Sequence, residues 1–416
     1  MLHRIFDKLA PFKIVALYLV VVGIITAFWL VSVIPARPAF VVDFGADVFR
    51  YYLPNTYFSV KTVQSGHLPL WNPFEFAGVP MMATLEYGPL YPPNVLFFLL
   101  SLLPAHLVTM YLHVLLFGCS MVLFLRRGLH LNMFPALVGA LIAVFSGWTV
   151  VRMLTAPDTF RSAAFIPLLL YLTNRLVRRP SSGASAAFAL VYALQLLAGE
   201  IEVFVRTGFL VVGYAVVCLD RLRVENNSPF AVEIRRLVWF AGACTGALGL
   251  CAVQWLLMYE ASAQSMRTTG GLTFTQAFAG GKPDPLTLLV SLVRYTPEDL
   301  IYHIGVLPLV LVVLSLRSPR GETLFFLLTG SVAFGLLLGE HSLVSRVYYD
   351  FVPTGRMFRA PIRFMPFLVF STSVLAAQGV QNLENWLSSG CTYFASRLKI
   401  CLVFLAAAGG VDLLLR

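Results

Sequence analysis

Charge is what this sequence has least of. Only 12% of its 416 residues are Asp, Glu, Lys or Arg, against about 25% in a soluble domain. A soluble chain of this length could bury a large core, but it would still need a polar skin. With 58% hydrophobic residues, too few polar side chains remain to make one, so lipid is expected to be the outer solvent. Cysteine pairing is also missing. Cys119, Cys218, Cys244, Cys251, Cys391 and Cys401 include no C-x-x-C pair, and most fall within apolar runs. That argues against zinc or a disulfide framework and leaves small core residues. No internal repeat, low-complexity tract, soluble domain or Gly-rich phosphate loop is visible. The net charge of +10 would suit nucleic acid. The basic residues, however, sit in short clusters between apolar runs and make no stripe on a soluble face, so nucleic acid is set aside.

What the chain does have is apolar length. A spanning helix needs roughly 20 apolar residues. The stretch between Lys13 and Arg37 carries no charge and is longer than a signal-peptide core, so an uncleaved first helix is expected. The stretch between Glu86 and Arg126 is also uncharged. It has room for a short interfacial helix near Asn94–Leu103 and a span near His106–Leu125. Further spans read as Phe134–Val151, Ala163–Asn174, Ala184–Ala198, Val203–Leu219, Leu237–Met258, Ile304–Leu316, Thr323–Leu338, Phe364–Gly379 and Ile400–Leu414. The expected fold is all-α: one integral membrane domain over 1–416, a bundle of about ten or eleven spans. With the N-terminus in the cytoplasm, every short basic cluster falls on one side, from Arg4, Lys8 and Lys13 to Arg397 and Lys399, as the positive-inside rule asks. Three long segments then face outward, at about 35–88, 259–303 and 340–363, and long loops carry function more often than short ones.

The outward face holds the polar chemistry. Asp43 and Asp47 stand four apart just after the first span and share a face if that segment is helical. Such a carboxylate suits a general base; a solvated pair or an N-cap is the plainer alternative. Trp71, Tyr87 and Tyr91 lie in a Gly/Pro-dense loop and suit a membrane–water interface. Arg356, Arg359 and Arg363, and Arg152 and Arg161 around Asp158, run against the charge rule, so local partners are expected. These are either a phosphate, which arginine's planar fork matches, or nearby carboxylates. Glu200 and Glu202 sit at a helical hairpin tip with Arg206 at i+4 from Glu202, a spacing that permits an ion pair. Carboxylates near membrane depth are functional candidates by default.

These motifs resemble the YfhO family of bacterial membrane proteins, which belong with the GT-C class of glycosyltransferases. The resemblance rests on Asp47-x-x-x-Tyr51-Tyr52-x-Pro54, Gly66-His-Leu-Pro69-Leu-Trp71-Asn72-Pro73, Gly78-x-Pro80 and Tyr91-Pro-Pro-Asn94. It continues in Phe145-Ser146-Gly147, Pro167-Leu-Leu-Leu, Phe358-Arg359-Ala-Pro361-Ile-Arg363-Phe364 and Leu375-Ala-Ala-Gln-Gly379. The family often shows Ala-Gly-His-Pro-Gln where this chain has Ala198-Gly199-Glu200-Ile201-Glu202. Many members run on further, so a C-terminal extension is expected to be missing here.

The resemblance implies a GT-C-like bundle in the bacterial cytoplasmic (inner) membrane. It would transfer a sugar from a polyprenyl-phosphate-linked donor to a cell-envelope glycan or polymer on the extracytoplasmic face. Asp47 is the implied catalytic residue, with Asp43 second. Arg359 and Arg363 would hold the phosphate, with Arg356, Arg152 and Arg161 behind them. Tyr51, Trp71, Asn72, Glu200 and Glu202 would contact substrate. Some GT-C enzymes use a divalent metal such as Mg or Mn. A transporter or flippase of lipid-linked substrate, or a non-catalytic membrane assembly protein, are the other readings.

Overall fold

The structure is a computed structural model that describes residue 23 and residues 47–227, 229–264, 271–278, 284–294, 299–319 and 321–388. Among these residues all regular structure is helical, and the one strand-like pairing is an isolated bridge between Asn72 and Val79. Three helices are long and apolar enough to cross a membrane: Leu102–Gly128, Ile201–Asn226 and Pro361–Ser388. Two further pairs qualify only together. Met133–Val144 and Gly147–Thr155 meet at 45°, and Phe230–Leu250 and Ala252–Ala263 at 71°. Length and composition thus support three to five spans among the described residues, fewer than the sequence suggests. The shorter apolar helices Ser182–Leu197, Leu300–Ser315 and Gly321–Leu337 fall where further spans were expected. Apart from residue 23, the runs expected to span at 14–34 and 400–414, together with Asp43, Cys391 and Cys401, lie outside the described residues.

The elements that position the site are labelled in chain order. They are α1 (Leu53–Gln64), α2 (Leu102–Leu123), α3 (Met133–Val144), α4 (Gly147–Thr155), α5 (Pro157–Ala163) and α6 (Ser182–Leu197). After them come α7 (Ile201–Asn226), α8 (Val306–Ser315), α9 (Gly321–Leu337), α10 (Leu343–Phe351) and α11 (Met365–Ser388). The run expected as a single span over 134–151 breaks between α3 and α4. Ser146 takes extended backbone and its side chain accepts from Thr149 N, which caps α4. A serine cap satisfies a backbone donor that lipid could not.

Helix α11 is the centre. It packs on α8, α9 and α3, and every residue from Met365 to Gln381 is buried. A helix buried on all sides along such a stretch belongs inside a bundle. Gly379 lets α8 approach: a Cβ there would run into the Leu311 carbonyl, so the helices meet at a distance only glycine permits. Phe124, Tyr214, Phe326 and Phe370 interlock nearby, with ring centroids 5.7 to 6.0 Å apart, in edge-on contacts that aromatic quadrupoles favour.

The two ends of the bundle differ. Helix α7, of 26 residues, is about 39 Å long. At one end Arg221 bonds Glu225 at 2.6 Å and also Glu322, and Arg178 stands close by, beside His130. Basic residues that the sequence places on one membrane side therefore do meet in space. Glu202 lies at the other end, among the residues described next.

Candidate functional site

Helix α7 begins with an abrupt turn. Gly199 has φ +125 and Glu200 is extended, its carboxylate accepting from Glu202 N. Two acidic side chains thus stand at a helix N-terminus, where unpaired N–H groups and the helix dipole favour negative charge. The turn must be tight. A Cβ on Gly199 would stand 2.9 Å from the Glu86 carbonyl oxygen, 3.0 Å from Asp158 Cβ and 3.2 Å from Arg161 Nη2. Gly199→Ala is expected to cost about 1–3 kcal/mol in backbone strain alone and to push the first loop off α5. A thermal melt of the purified chain that matches wild type would refute this.

Around that turn the charged groups are knotted together. Arg363 Nη1 donates to Glu202 Oε1 at 2.6 Å and to Glu200 Oε1 at 3.2 Å. Arg206 Nη2 donates to Glu202 Oε2 at 2.8 Å, and its guanidinium lies 3.9 Å over the Phe364 ring. Thr159 Oγ1 donates to Glu200 Oε2, and Glu200 N donates to Ser162 Oγ. Both carboxylates are buried, so their charge is held only because arginines are fixed on them. The i+4 pair expected from sequence is present.

Asp158, at the start of α5, faces this knot. It keeps some exposed surface, but protein crowds it on most sides. Burial first, and then the nearby Glu200 and Glu86, push its carboxyl up to about 7, with Arg161 and Arg363 opposing. Glu86 is likewise raised by burial, offset most by a hydrogen bond from Tyr51. Burial, with the charge of Glu86 added, keeps the Tyr51 phenol protonated well above its usual range. Its oxygen lies 2.9 Å from that of Tyr87, which is 3.3 Å from Glu75 Oε2. Half-buried Tyr51, Glu75, Glu86, Arg152, Asp158 and Arg363 thus surround a polar face with a proton-donating rim.

The candidate arginines separate by role. Arg161 is fully buried. It donates to Tyr52 Oη at 2.6 Å, Asn94 Oδ1 at 3.2 Å and the Glu86 carbonyl at 3.2 Å, and it stacks between the Tyr52 and Tyr91 rings. It ties the first loop to the bundle, so no phosphate reaches it. Three motif residues from the sequence, Tyr52, Tyr91 and Asn94, meet on this one side chain. Arg152 stands near Asp158, Arg363 and Glu200, and its Nε is buried without a hydrogen-bond partner. Arg206 has two such donors, Nε and Nη1. Arg356 and Arg359 are exposed and make no ion pair with the knot among the described residues.

Other expected contacts are placed differently. Asn72 is buried and structural: its Nδ2 donates to Asn55 Oδ1 at 2.7 Å, and its backbone pairs with Val79. Trp71 is exposed on the same loop. Asp47 is exposed at the start of a short π-helical turn and makes no capping bond, while Tyr51, one turn on, enters the site. Among the described residues no group of three or more His, Cys, Asp or Glu is placed to hold a metal ion.

A groove opens beside the knot. It has a volume of about 330 Å³ and is walled by Phe209 and Leu210 of α7, Phe325, Leu328, Val332 and Ala333 of α9, and Phe367 of α11, with Arg206 and Tyr348 at its margin. Phe209, Leu328 and Val332 are exposed large apolar side chains, so the groove is cut into the surface that two apolar helices turn outward. Among known proteins, no family model matches the chain and no curated sequence matches it.

Proposed function

We propose that the chain is a GT-C-like membrane glycosyltransferase that uses a polyprenyl-phosphate-linked sugar and works from the extracytoplasmic side of a bacterial cytoplasmic membrane. The observation that carries this reading is the junction of groove and knot. Arg206, a buried arginine with two unpartnered N–H donors, is among the residues lining an apolar, outward-opening groove, and it shares Glu202 with Arg363. A hydrocarbon tail fits the channel, and an anionic phosphate satisfies donors that are otherwise costly to leave buried. The sugar then lies toward Asp158.

The acceptor hydroxyl oxygen attacks the anomeric carbon, the bond from that carbon to the phosphate oxygen breaks, and the hydroxyl proton goes to Asp158. A single displacement inverts the sugar. Arg206, Arg363 and Arg152 stabilise the departing lipid phosphate. Asp158 is preferred to Asp47 as the base because it faces the knot and its carboxyl is pushed up to about 7, near the working pH. Asp47, which the resemblance points to, would sit at the acceptor's entrance.

Deleting the gene and profiling envelope polymers and polyprenyl-phosphate sugars by mass spectrometry tests the activity. Loss of one sugar modification with accumulation of the donor lipid, restored by the wild-type gene, supports transfer. An unchanged glycan profile sinks it. The groove is tested separately by Val332→Trp, which enlarges an exposed side chain on the groove wall and so fills the channel without overpacking the core. This variant should weaken donor use by about tenfold or more, the effect of losing at least 1.4 kcal/mol of binding, while the melting temperature holds. Normal donor KM would refute the groove's role.

One observation favours a transporter instead. Two helix pairs are broken by 45° and 71°, and broken helices often line transport sites. Movement of a labelled lipid between leaflets of reconstituted vesicles, with no sugar transferred, would decide for that reading.

A further inference from the structure

Helix α10 divides its surface into three arcs. Leu343, Val347 and Phe351 are four residues apart, so each step turns the stripe by only about 40°. They are 79%, 48% and 81% exposed. Arg346 and Asp350 form a second exposed arc and pair at 2.9 Å. Val344, Ser345, Tyr348 and Tyr349 make the third arc and face the protein. There Ser345 Oγ bonds the Gly335 carbonyl, and Tyr349 Oη bonds the Leu272 carbonyl. A surface helix in water needs two faces, one inward and one polar. A third face of bare leucine, valine and phenylalanine has no use there.

The chain after α10 adds charge. Asp350 balances Arg346. Arg356 lies over the Tyr349 ring at 5.1 Å and, like Arg359, is exposed with no carboxylate paired to it among the described residues. Two exposed arginines with no paired carboxylate among the described residues therefore follow the apolar stripe within eight residues of Phe351 along the chain. The protein-facing arc reaches the groove: Tyr348 lines it, as does Val352 just past the end of α10.

We propose that residues 343–359 form a bilayer-docking element. Helix α10 lies in the plane of the leaflet on the knot's side, with Leu343, Val347 and Phe351 among acyl chains. Arg346 and Asp350 lie at the water boundary, and Arg356 and Arg359 sit on the phosphates of anionic phospholipid headgroups. The three arcs match the three media such a helix meets: protein, hydrocarbon and water. The two cations match an anionic lipid surface, where each basic residue adds attraction. This assigns Arg356 and Arg359 to the surrounding membrane and leaves the substrate phosphate to Arg206, Arg363 and Arg152. The docking does not depend on the transfer reading, since a transporter would seat itself the same way.

The test uses the full chain in nanodiscs. A fluorescent noncanonical amino acid replaces Val347 in one sample and Asp350 in another, and lipids with brominated acyl chains serve as quencher. Quenching should be at least about threefold stronger at 347 than at 350, as for a helix lying in the interface, and soluble iodide should show the reverse order. In parallel, the wild-type melting temperature should rise when phosphatidylglycerol replaces phosphatidylcholine. Arg356→Gln with Arg359→Gln should remove most of that rise. Equal quenching at the two positions overturns the proposal. So does a label at 347 shielded from both quenchers, which would mean a protein partner covers the stripe. If the label at 347 prevents assembly, the same comparison is made between 351 and 346, which stand about 140° apart round the helix.

Discussion

Replacing Arg363 by glutamine is expected to destabilise the folded chain by about 3 kcal/mol, the low end for breaking a buried ion pair, because the Arg363 side chain keeps 30% of its surface. The loss comes from what stays behind. Glu202 retains Arg206, but Glu200 is left with only the Thr159 hydroxyl and a backbone N–H. An uncompensated buried carboxylate is costly. Adding Glu200→Gln to the Arg363→Gln chain should therefore restore much of the stability, a coupling that a double-mutant cycle measures directly. Unfolding midpoints of the four proteins in one detergent give the answer. A single-variant loss below about 1 kcal/mol, the range of exposed pairs, would mean the knot is a surface contact and not a fixed part of the site.

Asp158→Asn should lower transfer about 10²–10⁴-fold, the contribution of a positioned general base, with insertion and folding intact. Asp47→Asn is its comparator. If that variant alone loses transfer while Asp158→Asn keeps it, the base is Asp47. The wild-type rate should rise as pH climbs through about 7 and then level, because Asp158 must be deprotonated to accept the acceptor's proton. Stability should move the opposite way. The Asp158 carboxyl is raised in the folded chain from 3.8 to about 7, so the folded state binds the extra proton across that window. Its contribution is fully present below 3.8 and is lost as pH rises through about 7. The pH range that switches the base on is thus the range that weakens the fold around it, and Asp158→Asn should flatten both curves. The stability arm needs no substrate, so it can fail or succeed independently of the transfer reading.

Composition made the helical membrane character legible, because too few polar residues exist to cover a soluble core. Individual helices were legible where apolar runs were long, as at α2, α7 and α11. The breaks were not. Ser146 looks like any small residue in an apolar run, and only the turn it caps reveals that a helix ends there. The site was half legible. Glu200 and Glu202 stand out in the sequence as carboxylates at a hairpin tip and Arg363 as an arginine that runs against the charge rule, and the three do meet. Arg206 was visible only as the i+4 partner of Glu202, since its unpartnered donors and the groove beside it depend on α9 and α11, far along the chain. Asp158 read as a companion to two arginines. What sets it apart is crowding by Glu86 and Glu200, which sequence spacing does not encode. Asn72, a motif residue, and Arg161, a candidate phosphate ligand, instead hold the loop in place.

The burial of α11 from Met365 to Gln381 bears on how the chain is made. A translocating helix is admitted to lipid on its own hydrophobicity. This one carries Gln381 and Glu384, which bond Asn132 before α3, and Asn382, which bonds the Leu314 and Ser315 carbonyls of α8, groups that acyl chains would leave unsatisfied. Its proper surroundings are α3, α8 and α9, all synthesised earlier. The last described helix therefore enters a cavity prepared by its predecessors, and shortening or reordering those helices should strand it at the insertion machinery before any question of activity arises.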